Sequence, residues 1–140
     1  MLLKNLFRSA YCIDDNATDR FIAERYLKNL LVNPEVTLFE NGKDAIDQLI
    51  SLRNSNSDKT PDYILLDLNM PFTSGWDFLD EIYRLKIDLW CPSIVYILSS
   101  SVRSKDVEKS KLYPIVGGFI TKPLDQDKFK ASLLGSYQSY

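Results

Sequence analysis

The 140-residue sequence contains no histidine. That absence removes a His-ligated zinc site, a Ser-His-Asp triad and a histidine phosphocarrier, since each needs an imidazole as ligand, base or acceptor. Any chemistry must rest on carboxylates, hydroxyls and amines. Cysteine is scarce: only Cys12, inside an apolar run, and Cys91, before Pro92, are present. A disulfide framework is therefore not expected, and two buried or partly buried free thiols are. No apolar run is long enough to span a bilayer. The opening Met1-Leu2-Leu3-Lys4-Asn5-Leu6-Phe7 is too short for a signal-peptide apolar region and lacks a small-residue cleavage site. Long basic runs are also missing and the net charge is −2, so direct nucleic-acid binding, which needs a positive footprint, is not expected. A cytoplasmic location without membrane insertion is the matching expectation.

What is present is ordinary for a folded domain: 45% apolar and 26% charged residues. A chain of this length buries roughly 68–70% of its unfolded surface, enough for one core. A single domain over 1–140 is expected, with a core from about 7 to 134 and short flexible termini.

Tyr11-Cys12-Ile13 reads as a strand that stops at Asp14-Asp15-Asn16. A helix follows, with Ile22, Tyr26, Leu27, Leu30 and Leu31 on one face, Asn16 as cap and Asn33-Pro34 as stop. Val36 to Phe39 is a second strand, and Ala45, Ile46, Leu49 and Ile50 mark a second helix before a polar loop from Asn54 to Pro61. Tyr63-Ile64-Leu65-Leu66 ends at Asp67, and Asn69-Met70-Pro71 forms the exit turn. Phe78, Leu79, Ile82 and Tyr83 mark a third helix. Ile94 to Leu98 is a fourth strand running into Ser99-Ser100-Ser101. A polar helix across Lys105 to Lys111 leads to Gly117-Gly118-Phe119-Ile120-Thr121, which stops at Lys122-Pro123. Asp125 caps the last helix, with Leu124 and Phe129 at staple spacing. Five strands too apolar for a wet face, alternating with five helices, predict a doubly wound parallel α/β sheet.

Ligands of such sheets bind beyond the carboxyl ends of the strands. Those ends carry Asp14 and Asp15, Asp67, Ser99 and Lys122. Taken singly, each has a plain explanation: a polar turn and helix cap for Asp14-Asp15, a strand-terminating acid for Asp67, a solvated linker for Ser99 to Ser101, a core side chain for Phe119. Three acids, a hydroxyl and an amine converging on one rim have no such plain explanation.

Ile13-Asp14-Asp15-Asn16, Leu65-Leu66-Asp67-Leu68-Asn69-Met70-Pro71 with Gly75, Ile97-Leu98-Ser99-Ser100 and Phe119-Ile120-Thr121-Lys122-Pro123 together resemble the receiver domain of response regulators, the CheY-like switch of two-component signalling. The resemblance covers nearly the whole chain and implies a flavodoxin-like (βα)5 sandwich with strand order 2-1-3-4-5. It implies that Asp67 accepts a phosphoryl group, that Asp14, Asp15, Asp67 and the backbone carbonyl of Asn69 hold Mg²⁺, and that Lys122 pairs with the phosphoryl group. It further implies that Ser99 donates to a phosphoryl oxygen, that Phe119 turns inward on switching, that Asn69 and Ser101 tune the phosphoryl lifetime, and that the peptide before Pro123 is cis. The fourth helix, fifth strand and fifth helix would report the switch.

The implied partners are a sensor histidine kinase or phosphotransfer protein and an unidentified downstream protein, reached by binding because an output domain is not expected in this chain. By the same resemblance the domain is not an enzyme beyond assisting its own phosphoryl transfer. Physics supports the metal expectation: crowded carboxylates repel one another unless a cation lies among them, and oxygen-only ligands suit Mg²⁺. The alternatives are a phosphorylation-independent pseudo-receiver, a haloacid-dehalogenase-like phosphohydrolase and a flavin carrier. The second normally has an aspartate where Asn69 stands, and the third a phosphate loop rich in hydroxyls and glycine.

Overall fold

The computed structural model describes residues 9–138, with side chains described as far as residue 133. Expectations for Met1 to Phe7 and for the end of the tail lie outside the described residues. Five strands, β1 (Ser9–Ile13), β2 (Glu35–Phe39), β3 (Tyr63–Asp67), β4 (Ile94–Ser99) and β5 (Val116–Thr121), pair in parallel in the order β2-β1-β3-β4-β5. The connections are α1 (Ala17–Leu30), α2 (Gly42–Asn54), α3 (Gly75–Arg84), a one-turn α4 (Ile87–Trp90) and α5 (Ser104–Ser110), and α6 (Gln126–Gln138) closes the chain. This is the flavodoxin-like sandwich. The expected fourth and fifth helices are thus α5 and α6, and α6 runs on to Gln138, into the tail expected to fray.

Alternation along the central strands builds two cores. Tyr11, Ile13, Ile64, Leu66, Val95 and Ile97 face one way and meet Ala45, Leu49, Phe78, Leu79 and Ile82 from α2 and α3. Ala10, Cys12, Tyr63, Leu65, Tyr96 and Leu98 face the other way and meet Ala23, Leu27, Phe129 and Leu133 from α1 and α6. All five residues of β3 are buried, because strands and helices cover it on every side. The edge strand β2 differs from expectation: Glu35, Thr37 and Leu38 are exposed, since only β1 pairs with it and its outer side has no neighbour. The one-turn α4 also had no periodic signal, being too short to show one; Lys86 opens it with a left-handed backbone, φ 58°.

Local chemistry sets the helix starts. Asn16 accepts from the Asp19 amide at 3.0 Å, Asn41 from Asp44 at 2.8 Å, and Ser74 and Asp77 form a reciprocal capping box. Asp125 accepts from the Lys128 amide at 3.0 Å while Leu124 and Phe129 share one core. Gly75 lies where the chain leaves β3 and packs back on it: an added Cβ would fall 2.8 Å from the Asp67 carbonyl oxygen. A side chain there would displace the backbone that carries Asp67. The register between β4 and β5 skips Gly117, whose Cβ would meet Ile94 at 2.7 Å.

Candidate functional site

Because all strands are parallel, their carboxyl ends form one rim, and the strands deliver their terminal residues to it. Asp14 follows β1 and is fully buried; Asp67 ends β3 and is 4% exposed; Ser99 ends β4 and is buried; Asp15 is exposed. Carboxylate oxygens of Asp14, Asp15 and Asp67 lie within 4.8 Å of one another. Lys122, beyond β5, brings its Nζ to 2.8 Å from Asp14 Oδ2, 3.0 Å from Asp19 Oδ2 and 3.6 Å from Asp67 Oδ1. The Lys122-Pro123 peptide is cis.

The loops are braced by backbone contacts. The Asn16 amide donates to Asp14 Oδ1 at 3.0 Å, the Asn69 amide donates to Asp67 Oδ1 at 3.2 Å, and Arg20 Nη1 donates to the Asp14 carbonyl at 2.7 Å. Arg20 also reaches Glu40 at 3.6 Å, tying α1 to the loop after β2. Asn69 and Ser101 are exposed. The Ser99 hydroxyl donates to the Ser101 carbonyl at 2.9 Å, so it faces its own loop. Phe119 is half-buried against the α2/α3 core.

Asp19 was missed by sequence reasoning. Its place in a cap-x-x-Asp pattern marks it as an ordinary first-turn acid of α1, and nothing local shows that its side chain reaches Lys122. Trp76, without a derivable role, is half-buried and stacks on Tyr113 at 5.8 Å with Lys109 Nζ 4.8 Å from its ring; Trp90 packs half-buried against the same core. Cys12 and Cys91 are both buried free thiols, and burial pushes Cys12 up to about 12, which keeps it a neutral thiol.

The electrostatics are those of too many acids in one place. Burial, and then the Asp14 charge, push the Asp67 carboxyl up to about 7 against the opposing pull of Lys122 and the Asn69 amide. Burial works against the Lys122 ammonium, but Asp14, Asp19 and Asp67 outweigh it and hold its pKa above the ordinary lysine value. The donor set fits a hard divalent cation. It is all oxygen, and Asp14 Oδ2 is buried without a well-directed hydrogen bond, its near cation being Lys122 alone among the described residues.

A raised folded pKa makes a signed prediction. The Asp67 contribution to stability is complete below its unfolded value of 3.8 and is lost as pH rises through about 7. In chelator, the melting temperature of Asp67→Asn should therefore pull ahead of wild type between pH 5 and pH 8, by roughly 2–4 °C per kcal/mol relieved. A constant gap across that range would contradict the crowding.

This fold, with an acid cluster and a lysine at the carboxyl rim, is that of a receiver domain. The family model described as response regulator receiver domain matches residues 10–134, and the chain belongs to that family, a signalling domain of two-component systems. Among curated relatives, it is 33% identical over 116 residues to the sensor histidine kinase CheAY of Helicobacter pylori, covering 79% of this chain and 13% of that one. It is 27% identical over 119 residues to the DNA-binding transcriptional regulator NtrC of Klebsiella pneumoniae, covering 85% and 22%. The chain thus spans about an eighth to a fifth of the length of these relatives. Among solved structures, a two component response regulator from Cytophaga hutchinsonii superposes with a TM-score of 0.81 at 25% identity, covering 95% of this chain and 98% of that one. The chemotaxis protein CheY4 of Vibrio cholerae shares the fold, with a TM-score of 0.72 at 18% identity over 91% and 97% of the two chains. Among the described residues no helix is long and apolar enough to cross a membrane.

Proposed function

We propose that Asp67 accepts a phosphoryl group in a Mg²⁺-dependent reaction and that this charge change switches binding to another protein. The observation that supports this most is the buried Asp14–Asp67–Lys122 constellation, in which an ammonium stands within 3.6 Å of the acceptor carboxylate. Asp14, Asp15, Asp67 and the Asn69 carbonyl would hold the metal, with Asn69 and Ser101 at the site's mouth as tuners of lifetime. Bound there, Mg²⁺ supplies positive charge that relieves the acid crowding and offsets charge on the incoming group.

An Asp67 carboxylate oxygen attacks phosphorus in line, a new O–P bond forms, and the donor's bond to phosphorus breaks with its electron pair leaving on the donor. Lys122, within 3.6 Å of the acceptor carboxylate, pairs with the phosphoryl oxygens as they arrive and offsets their charge. Ser99 must give up its bond to the Ser101 carbonyl to donate to a phosphoryl oxygen, which couples the loop after β4 to the chemistry. Phe119 is half-buried in the same strand that leads to Lys122, so an inward turn would carry the change to the surface formed by α5, β5 and α6. Phosphate would act by favouring one of two arrangements.

The donor is a histidine kinase or phosphotransfer protein, the target a second protein, the setting the cytoplasm, and residues 1–140 act as one domain. Incubation with acetyl phosphate and Mg²⁺ is expected to add one phosphoryl group, removable by hydroxylamine as an acyl phosphate is, and chelation should block the gain. No mass change in the presence of metal would refute the proposal.

A further inference from the structure

Three helices of this protein begin with the same arrangement, a capping side chain followed three residues later by aspartate. At α3 the carboxylate of Asp77 folds back on the Ser74 amide, and at α2 Asp44 Oδ2 receives the Asn41 side-chain amide at 3.2 Å. At α1 the Asn16 backbone amide donates to Asp14 Oδ1 at 3.0 Å, so the bond that α3 makes is taken. The carboxylate of Asp19 reaches to Lys122 Nζ at 3.0 Å.

The ammonium consequently sits close to Asp14 and Asp19, at 2.8 and 3.0 Å, and farther from Asp67 at 3.6 Å. We infer that Asp19 is a positioning residue, which holds the Lys122 ammonium in its resting place and limits how readily that ammonium turns to a phosphoryl group on Asp67. The inference rests on the phosphoacceptor role proposed above. Of the two short partners, Asp14 is fully buried and needs a cation beside it, the ammonium or a metal, whereas the Asp19 side chain is 23% exposed and is rehydrated when the ammonium leaves. Asp19 is thus the contact that Lys122 can exchange for phosphoryl oxygens, and its strength sets the cost of the exchange.

Initial rates of phosphoryl uptake from subsaturating acetyl phosphate with Mg²⁺ should be compared for wild type, Asp19→Asn, Lys122→Gln and the double variant. Asp19→Asn is expected to raise the rate about fivefold, the size of one partly exposed ion pair, and Asp19→Glu to return it toward wild type. In the Lys122→Gln background the same change should leave the rate unaltered, because the group that Asp19 positions is gone. Equal acceleration in both backgrounds would mean that Asp19 merely repels an anionic donor, and an unchanged or slower rate in Asp19→Asn would equally overturn the inference.

A readout independent of phosphorylation separates this inference from the one beneath it. By nitrogen-15 NMR in chelator, the Lys122 Nζ signal should show faster motion in Asp19→Asn while backbone amides away from α1 stay in place. Wild type that takes up no phosphoryl group defeats the phosphoacceptor reading, and an unmoved Nζ signal then shows independently that Asp19 does not hold the ammonium.

Discussion

Asp67→Asn is expected to reduce phosphoryl uptake from acetyl phosphate to background while leaving the fold intact. An amide oxygen is a poor nucleophile toward phosphorus, and no other carboxylate of the cluster is equivalently placed. Asp14 is fully buried and held against Lys122 Nζ at 2.8 Å, and Asp15 is exposed. Asp67 ends β3 with its carboxylate facing Lys122 across 3.6 Å. Neutralising it also removes one charge from a crowded pocket, so the variant should melt higher than wild type in chelator at pH 8, with a gain of about 1 kcal/mol. Labelling that persists in Asp67→Asn would move the acceptor elsewhere and undo the assignment. Retained melting behaviour makes a loss of labelling a statement about chemistry rather than unfolding.

Lys122→Met should be the most costly substitution at the rim. Three carboxylates share this one ammonium within 3.6 Å, and its side chain is only 15% exposed. Removing one partner of a largely buried ion pair leaves the other charges uncompensated, at a cost of about 2–4 kcal/mol. In chelator at pH 7.5 the loss corresponds to a melting temperature lower by roughly 5–15 °C. Mg²⁺ should recover much of it, since a divalent cation among the acids replaces the missing charge. Uptake of phosphoryl groups should fall roughly a hundredfold or more even with metal, the size of losing one preorganised electrostatic contact to the reacting group. Lys122→Arg should keep the stability better than the rate, because a planar fork preserves charge but not the point geometry of an ammonium. Unaltered melting in Lys122→Met would show that the acids do not depend on this lysine.

Both expectations come from residues that stand at strand ends, and that placement is legible in the residue order itself. Tyr63 to Leu66 reads as a covered strand because every residue is apolar, and it is buried throughout. Asp67 and Ser99 interrupt such runs at their last position, where the parallel arrangement opens to solvent. Less legible were features without a periodic signature. The exposed outer side of β2 follows from its place at the sheet's edge, which residue identity does not encode. The single turn of α4 is shorter than one amphipathic repeat.

The chain's own residue order determined the fold class, a sheet covered on both faces and which acids, hydroxyl and amine reach the rim, because continuous apolar runs and strand-ending polar residues are local patterns. Only tertiary structure decided which of three similarly placed aspartates leaves its helix cap, that Ser99 is engaged by Ser101, and that Lys122 rests nearer Asp14 and Asp19 than Asp67. The physical reason is that these choices are competitions between partners from distant parts of the chain. Asp19 and Lys122 meet only after α1 and β5 have packed on a common sheet.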